Sequence, residues 1–354
     1  MSAFPTHPDA VDPDWLNASL EGQASPVAGV CWEPIGTGQV GDSVRFSLTH
    51  ADGSQSTLAA KFPAADPASR GTAAMMGLYA KEVRFYRDIA PGLDVRVPQV
   101  HAAHVGEDGA DFVLLFEDLG PARGGDQLAS CGIEDARHAI RQAAAFHAPS
   151  WGDEAVLGAD WLAASDELRS WIAQQYPQAQ AIWRERYSDS LEPEFMALCE
   201  DVADFEEVFS SRGGPPQCLV HGDFRLDNML FDVKGGVEPI AVLDWQTVAV
   251  GKAMIDVGYF LGCGIGDELR RAHEDELLGL YLDEMGKRGV SLEREAMWRD
   301  YRVGALHGLT TAVFSAAFVE RTERGDANFL SMARGAAALA LEHDSLAAVK
   351  EAAT

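Results

Sequence analysis

The spacing of hydrophobic and polar residues divides the chain into two regions. Between Val27 and Phe62, apolar residues alternate with polar ones, most clearly over residues 43–49. A period of two predicts half-buried strands, and Asp52-Gly53 between two such runs predicts a hairpin turn. We therefore predict an antiparallel sheet in the first part of the chain.

Helical spacing replaces this alternation over most of the remaining chain. Apolar residues recur at intervals of three and four from Ile133 onwards, and residues 291–319 have the pattern of one long helix. One helix is also predicted in the first region, from Thr72 to about Ala90. Asp12 followed by Pro13 predicts a short helix in an N-terminal extension of residues 1–24. This order of elements predicts an α+β fold.

Two short apolar runs deliver polar side chains to their ends. Residues 218–220 lead into a loop that holds Asp223 and, five residues later, Asn228, while residues 240–243 end at Asp244. Such a set suits phosphoryl transfer from a nucleotide, in which the protein mainly positions the reactants and neutralises phosphate charge. We expect Asp223 to accept the proton of an attacking hydroxyl. Asn228 and Asp244 would hold Mg²⁺, which binds few protein side chains and completes its shell with water and phosphate oxygens.

The motif His221-Gly222-Asp223-x-x-x-x-Asn228, followed by a strand ending in Asp244, resembles the aminoglycoside phosphotransferase and choline kinase-like family. The neighbouring residues are most similar to the branch with ecdysteroid kinase-like and uncharacterised bacterial phosphotransferases. The resemblance implies a protein kinase-like fold with two lobes. The N-lobe, residues 25–118, would hold the antiparallel sheet, one helix and the nucleotide site. The larger, mostly helical C-lobe, residues 119–354, would hold the catalytic loop and the acceptor-binding helices.

The resemblance also assigns nucleotide-binding residues in the first region. The pattern Gly36-x-Gly38-x-x-Gly41 opens into a strand, which favours a kinase loop over phosphates and not the dinucleotide fingerprint, which opens into a helix. A glycine-rich hairpin without a chemical role is the alternative. Lys61, alone in an apolar run, would hold the phosphates and pair with Glu82. The other interpretation places Glu82 on a solvated helix face.

The remaining assignments also follow from the family. Backbone groups of Leu115, Phe116 and Glu117 would meet the adenine edge, and the alternative for Glu117 is a solvated residue without this role. His221 would hold the loop backbone, with a catalytic histidine as the competing interpretation. Asp256 would support the loop through hydrogen bonds.

Arg225 has two interpretations that the sequence does not separate. It lies two residues after Asp223, where protein kinases carry a lysine that neutralises the transferred phosphate. Arg225 would then be a catalytic residue whose planar donors contact the phosphoryl group. The alternative is a structural ion pair with Asp227 or another acid.

Aromatic residues in the helical region are expected in the core. Trp151, Trp161, Trp171 and Trp183 fit this expectation, and so does His147 on the apolar side of its helix. An aromatic pocket for a cationic or flat substrate remains open.

Charge and composition restrict the partners. The net charge of −27 argues against nucleic-acid binding, because phosphate contacts require clusters of Lys and Arg. A cationic substrate would be attracted, and the same acidity serves solubility. The chain shows no signal peptide and no apolar run long enough to span a membrane, and its five cysteines form no CxxC pair. We expect a cytoplasmic protein without nucleic-acid or membrane partners.

These observations predict a magnesium-dependent small-molecule kinase that transfers the γ-phosphoryl group of ATP, or less commonly GTP, to a hydroxyl group. The acceptor stays open between an aminoglycoside, an amino alcohol and a steroid-like alcohol. The rival class is a nucleotide-binding regulator of the same fold without catalysis. Neither the oligomeric state nor the acceptor-lining residues follow from the sequence.

Overall fold

Strands occupy mainly the first third of the chain, and helices occupy most of the rest. The computed structural model describes residues 4–36, 40–163, 166–204, 207–210, 214–319 and 321–352. Within these ranges the strands are β1 (Val27–Pro34), β2 (Gly41–His50), β3 (Gln55–Pro63), β4 (Val100–Val105), β5 (Phe112–Glu117), β6 (Arg123–Gly124), β7 (Cys218–Val220), β8 (Met229–Asp232), β9 (Glu238–Val242) and β10 (Ala249–Gly251).

The helices of the same ranges vary from single turns to 22 residues. They are α1 (Pro13–Ser19), α2 (Pro67–Met75), α3 (Leu78–Arg84), α4 (Ile133–His147), α5 (Glu154–Leu157), α6 (Asp166–Tyr187), α7 (Pro193–Ala203), α8 (Glu207–Ser210), α9 (Val233–Gly236), α10 (Met254–Tyr259), α11 (Asp267–Lys287), α12 (Arg294–Gly304), α13 (Leu306–Phe318), α14 (Glu323–Glu342) and α15 (Ser345–Ala352). Among the described helices, none combines the length and the apolar character required to cross a bilayer.

The chain forms two compact units. The first unit comprises residues 1–92, 96–122 and 232–248, and the second comprises residues 93–95, 123–231 and 249–354. Residues 232–248 thus group with the first unit, whereas the predicted C-lobe comprised all residues after 118. Within the first unit, Glu238 pairs with Arg96 and Trp245 stacks on Phe85, which explains this grouping. The lobe boundaries stay a prediction.

The first unit is built on a five-stranded antiparallel sheet. The strand order is β1-β2-β3-β5-β4, and the β2–β3 hairpin turns at Gly53, whose N–H donates to the His50 carbonyl at 2.9 Å. Val44, Phe46 and Leu48 are buried, as their alternation with polar residues predicts. This sheet and the mostly helical second unit confirm the predicted α+β class.

The helix predicted from Thr72 to about Ala90 is wrong in its bounds. Asp66 caps α2 by accepting a hydrogen bond from the Ser69 N–H at 2.7 Å. The helix is interrupted at Gly77, after which α3 begins. Gly77 has a φ of +69°, a left-handed conformation that only glycine adopts readily. A new helix, α3, therefore begins after Gly77, and Glu82 lies on its buried side.

The long helix predicted for residues 291–319 is two helices, α12 and α13, separated at Ala305. At this point the backbones of α12 and α10 touch. A Cβ atom on Gly258 would lie 2.7 Å from the carbonyl carbon of Gly304, and one on Gly304 would overlap the carbonyl oxygen of Met254. Glycine therefore permits the close packing of α10, the helix that carries Asp256 and Tyr259.

The second unit has a helical core with one unexpected surface. Trp183 is fully buried, as predicted, but Trp171 is 44% exposed, so its assignment to the core is wrong. The ring of Trp171 contacts the rings of Phe314 and Phe318, and Phe318 is 48% exposed. This aromatic contact joins α6 to α13, which lie far apart in the sequence, so the local residue pattern does not reveal it.

Candidate active site

Lys61 lies at the centre of an ion-pair cluster in the first unit. It is in the middle of the sheet, where β3 pairs with Ser43 of β2 and Leu114 of β5. Its Nζ lies 3.0 and 2.8 Å from the two carboxylate oxygens of Glu82 and 2.8 Å from Oδ1 of Asp244. The sheet and α3 thus bring together the lysine and the glutamate that the sequence paired.

The charges of this cluster depend on one another. Burial works against the charge of Lys61, but Asp244 and Glu82 outweigh it and hold the lysine pKa above its ordinary value. Burial raises the pKa of Glu82, which is only 1% exposed, although Lys61 opposes this shift. The ammonium group therefore stays charged at neutral pH and is held between Glu82 and Asp244.

Asp244 follows β9 in a backbone conformation fixed by its neighbour. Its φ is +61°. The indole of Trp245 stacks on Phe85 at a centroid distance of 4.0 Å and donates through Nε1 to the Val242 carbonyl at 3.3 Å. Trp245 is buried and thereby anchors the strand end that presents Asp244.

The glycine-rich segment is described only in part. Gly36 ends the described residues after β1, and Gly38 lies outside them. Gly41 opens β2, and a Cβ atom there would lie 3.2 Å from Cε of Lys61. Glycine at position 41 therefore gives the Lys61 side chain room along the sheet.

The strand β5 contributes Leu115, Phe116 and Glu117. Leu115 is fully buried in the sheet, and Glu117 forms ion pairs with Arg96, at 2.6 Å, and with Lys234. Burial opposes the charge of Glu117, but hydrogen bonds from Arg96 and Lys234 lower its pKa to about 2. The Glu117 side chain is thus an ion-pair partner inside the first unit and not a solvated residue.

Three side chains in the second unit donate hydrogen bonds to Asp223. Tyr259 Oη lies 2.8 Å from Oδ1, Arg225 Nε lies 3.0 and 3.2 Å from the two oxygens, and Asn228 Nδ2 lies 2.8 Å from Oδ2. Burial works against the charged form of Asp223, but Arg225 and these donors outweigh it and hold the pKa below its ordinary value. The carboxylate is ionised and fixed in orientation.

Asp256 holds the backbone of the same loop. It accepts hydrogen bonds from the N–H groups of His221, at 2.7 Å, and Gly222, at 2.9 Å. His147 Nε2 lies 3.1 Å from the same carboxylate, and its Nδ1 lies 3.0 Å from Tyr281 Oη. Asp256, His147 and Tyr281 are wholly buried, and burial opposes the Asp256 charge, yet these donors keep its pKa below the ordinary value.

Arg225 bridges Asp223 and Asp227. Its Nη1 lies 2.9 Å from Asp227 Oδ2 while Nε faces Asp223, so the structural ion pair considered above is present. A contact to a transferred phosphoryl group stays a prediction. Asp227 accepts from three further residues, namely the Gln127 N–H at 2.9 Å, Asn328 at 3.2 Å and Arg324 at 3.4 Å.

Two residues near the loop could not be selected from the sequence. His307 at the start of α13 places Nε2 2.9 Å from the Gly222 carbonyl oxygen, and its ring meets the Tyr259 ring edge to face at 5.3 Å. Tyr259 contacts Asp223 across 36 residues of sequence, and His307 contacts Gly222 across 85. The residue pattern around each position therefore gives no indication of these contacts.

Comparisons with curated sequences give only short matches. A segment of 41 residues is 51% identical to acyl-CoA dehydrogenase family member 10 of Mus musculus. This match covers 12% of the present chain and 4% of the mouse protein.

Solved structures match over nearly the whole chain at low identity. A candidate aminoglycoside phosphotransferase from Ralstonia eutropha is 18% identical, with a TM-score of 0.55 and coverage of 93% of this chain and 97% of the other. An ethanolamine kinase from Plasmodium vivax is 10% identical, with a TM-score of 0.52 and coverage of 92% and 85%. Aminoglycoside 2′-phosphotransferase IIIa in complex with GDP is 15% identical, with a TM-score of 0.51 and coverage of 92% of each chain. These matches confirm the predicted fold class.

The family comparison covers most of the chain. The family model described as the phosphotransferase enzyme family, APH, matches residues 33–296, a stretch that contains Lys61, Asp223 and Asp244. The predicted resemblance is thereby confirmed, and the chain belongs to the phosphotransferase enzyme family.

Proposed function

We propose that this phosphotransferase transfers the γ-phosphoryl group of ATP, or less commonly GTP, to a hydroxyl group of a small molecule. The observation that carries the proposal is the environment of Asp223, an ionised carboxylate held by three donors in a loop that Asp256 anchors. A fixed carboxylate at this point orients an attacking hydroxyl, which is the main task of a protein in phosphoryl transfer.

Asp223 is the proposed catalytic base. Its lowered pKa makes it a weak proton acceptor, so it takes the hydroxyl proton late, as the new oxygen–phosphorus bond forms. Tyr259 remains protonated, because burial and the neighbouring Asp223 charge raise its pKa well above the ordinary value. The phenol therefore donates throughout and keeps one oxygen of Asp223 engaged.

The first unit supplies the proposed nucleotide-binding residues. Lys61, held by Glu82, contacts the phosphates, and Gly36, Gly38 and Gly41 form the loop over them. The backbone of residues 115–117 meets the base. That aminoglycoside 2′-phosphotransferase IIIa is solved in complex with GDP supports the use of a nucleotide in this fold.

Asn228 and Asp244 are the proposed Mg²⁺ ligands. The amide nitrogen of Asn228 is committed to Asp223, so a cation would meet the amide oxygen. Within the described ranges, no cluster of three or more His, Cys, Asp or Glu side chains is arranged to bind a metal. Few protein ligands suit Mg²⁺, which takes its remaining oxygens from water and phosphate and neutralises phosphate charge when bound.

Nucleotide binding is the experiment that tests this function. Calorimetry of ATP and GTP, with and without Mg²⁺, should show binding that depends on Mg²⁺. Asp244→Ala should weaken the Mg²⁺-dependent binding at least tenfold, since even residues outside the first coordination shell change metal affinity by roughly 10–100-fold. Asp88→Ala removes a carboxylate that is also in the first unit but pairs with Arg87, and should leave binding unchanged.

The outcomes separate the competing functions. No binding of either nucleotide under any condition would rule out the kinase proposal. Binding without turnover of any alcohol would favour an inactive nucleotide-binding regulator.

Tyr259→Phe tests whether the phenol acts on Asp223. Loss of a donor to the carboxylate raises the Asp223 pKa, so the acidic limb of the kcat/KM profile should move to higher pH. The turnover number at neutral pH should fall by about three- to tenfold, the value of one hydrogen bond. The matched control is Tyr301→Phe, which removes a buried phenol that donates to Glu274 at 2.7 Å. An acidic limb that does not move in Tyr259→Phe would show that Tyr259 has no influence on the base.

A further inference from the structure

One face of α13 is only partly buried along its length. His307, Thr311, Phe314 and Phe318 follow one another at intervals of four, three and four, which places them in one row on the helix. Each retains some exposure, whereas Leu309, Ala312, Val313 and Ala316 on the other sides are buried. We call His307, Thr311, Phe314 and Phe318 the α13 row.

The far end of the α13 row is aromatic. Phe314 and Phe318 pack at 4.8 Å between ring centroids, and Trp171 of α6 lies 5.9 Å from Phe314 and 6.1 Å from Phe318. Trp171 and Phe318 are 44% and 48% exposed, which is unusual for rings of this size. These three residues form the aromatic cluster, whose exposed rings are the kind of apolar surface that ligands bind.

The near end of the α13 row is the loop that carries Asp223. His307 Nε2 lies 2.9 Å from the carbonyl oxygen of Gly222, the residue before the proposed base, and its ring contacts Tyr259. With a rise of about 1.5 Å per residue, Phe314 lies roughly 10 Å and Phe318 roughly 16 Å further along the helix axis. The loop that carries the proposed base and the aromatic cluster thus lie at the two ends of the α13 row.

The carboxylates at the near end of the α13 row are already paired, which disfavours a polycationic acceptor. Asp223 and Asp227 share Arg225, and Asp227 also accepts from Arg324 and Asn328. Each of these carboxylates has cationic or amide partners inside the second unit, despite the net charge of −27 for the chain. A polycation would have to displace these partners, whereas a neutral molecule need not.

We propose that the α13 row and Trp171 bind the apolar body of the acceptor, so that the substrate is an uncharged alcohol with an apolar part about 10–16 Å long. The inference rests on the proposed function and adds the class of acceptor to it. The hydroxyl lies at Asp223, and the apolar part lies along Thr311 against Phe314, Phe318 and Trp171. Removal of apolar surface from water provides the affinity.

A homologous series of primary alcohols from 1-butanol to 1-decanol tests the inference, with ethanolamine and kanamycin as cationic probes. Phosphorylated products are quantified by mass in the presence of Mg²⁺ and ATP or GTP. The kcat/KM value should rise about three- to fourfold with each methylene up to 1-decanol, as expected for burial of apolar surface, because a ten-carbon chain is no longer than the proposed site. The cationic probes should be phosphorylated more slowly than 1-octanol.

Two variants locate the effect on the aromatic cluster. Trp171→Ala and Phe314→Ala should raise the KM for 1-decanol about ten- to hundredfold, with little change for 1-butanol, which is too short to reach the cluster. Leu341→Ala is the matched control, because Leu341 is similarly exposed, at 46%, in the same unit on a different helix. It should leave both constants unchanged.

The outcomes distinguish this inference from the function on which it rests. If nucleotide binds but alcohol length has no effect, or ethanolamine and kanamycin are preferred, the acceptor class is wrong and the kinase function stands. If no nucleotide binds, the function itself fails. If Trp171→Ala changes the oligomeric state in light scattering and not the KM, the aromatic cluster is an interface between copies, and the inference is overturned.

Discussion

Replacing Asp223 by Asn should lower the turnover number by roughly 10²–10⁴-fold and leave the fold intact. Asn keeps the shape of the side chain and an oxygen that accepts from Tyr259, but it does not take up the proton of the attacking hydroxyl. Because the proposed nucleotide-binding residues belong to the first unit, the affinity for the nucleotide should change little. Steady-state kinetics, calorimetry and circular dichroism measure these three quantities.

A second carboxylate in the same loop provides the comparison. Asp227 is 17% exposed, close to the 22% of Asp223, and both bind Arg225. Asp227→Asn should lower turnover far less, because Asp227 supports the loop without accepting the proton. Equal losses in the two variants would contradict the assignment of Asp223 as the base.

Replacing Asp256 by Ala should reduce both activity and stability. The variant leaves the N–H groups of His221 and Gly222 without their acceptor and removes a partner of His147, all in a buried environment. Buried polar groups without partners cost about 1–3 kcal/mol each, so the free energy of unfolding should fall by roughly 3–5 kcal/mol. Denaturant unfolding measures this change.

We expect this large loss of stability only for a carboxylate that accepts hydrogen bonds from backbone N–H groups. Asp300 pairs with Lys252 at 2.8 Å and is 15% exposed in the same unit, and Asp300→Ala should cost only about 1 kcal/mol. Asp256→Asn should fall between the two, since an amide can still accept from one N–H group. If Asp256→Ala were as stable as the wild type, Asp256 would not anchor the loop.

The chemistry near Lys61 could be foreseen because it follows from short-range patterns. Lys61 stands alone in an apolar strand, and a buried lysine requires a partner. An acid on the buried side of the next helix is the simplest choice, and Glu82 occupies that position. The break at Gly77 did not disturb this inference, because Glu82 lies within α3 and is buried there with Tyr79 and Val83.

The contacts around Asp223 were only partly foreseeable. The spacing of Asp223, Arg225 and Asp227 places three charges within five residues, but both interpretations of Arg225 fit that spacing equally. The choice depends on how the backbone turns and on Tyr259, which arrives from a helix 36 residues later. Side-chain geometry across such distances depends on tertiary packing, for which a single sequence carries little information.

The difference in exposure between the tryptophans of α6 could not be predicted from the sequence. Trp171 and Trp183 lie twelve residues apart in α6, and both have the apolar character of core residues, yet Trp183 is buried and Trp171 is not. What separates them is whether neighbouring helices cover that part of α6. The aromatic cluster therefore emerged only from the structure.

The close contact between Gly258 and Gly304 restricts the substitutions that this protein can accept. Any side chain at either position would push α10 away from α12 and disturb Asp256 and Tyr259 together. The backbone of α10 therefore cannot shift by small steps through substitution at these glycines. An added side chain at Gly258 or Gly304 is therefore expected to lower activity and stability together.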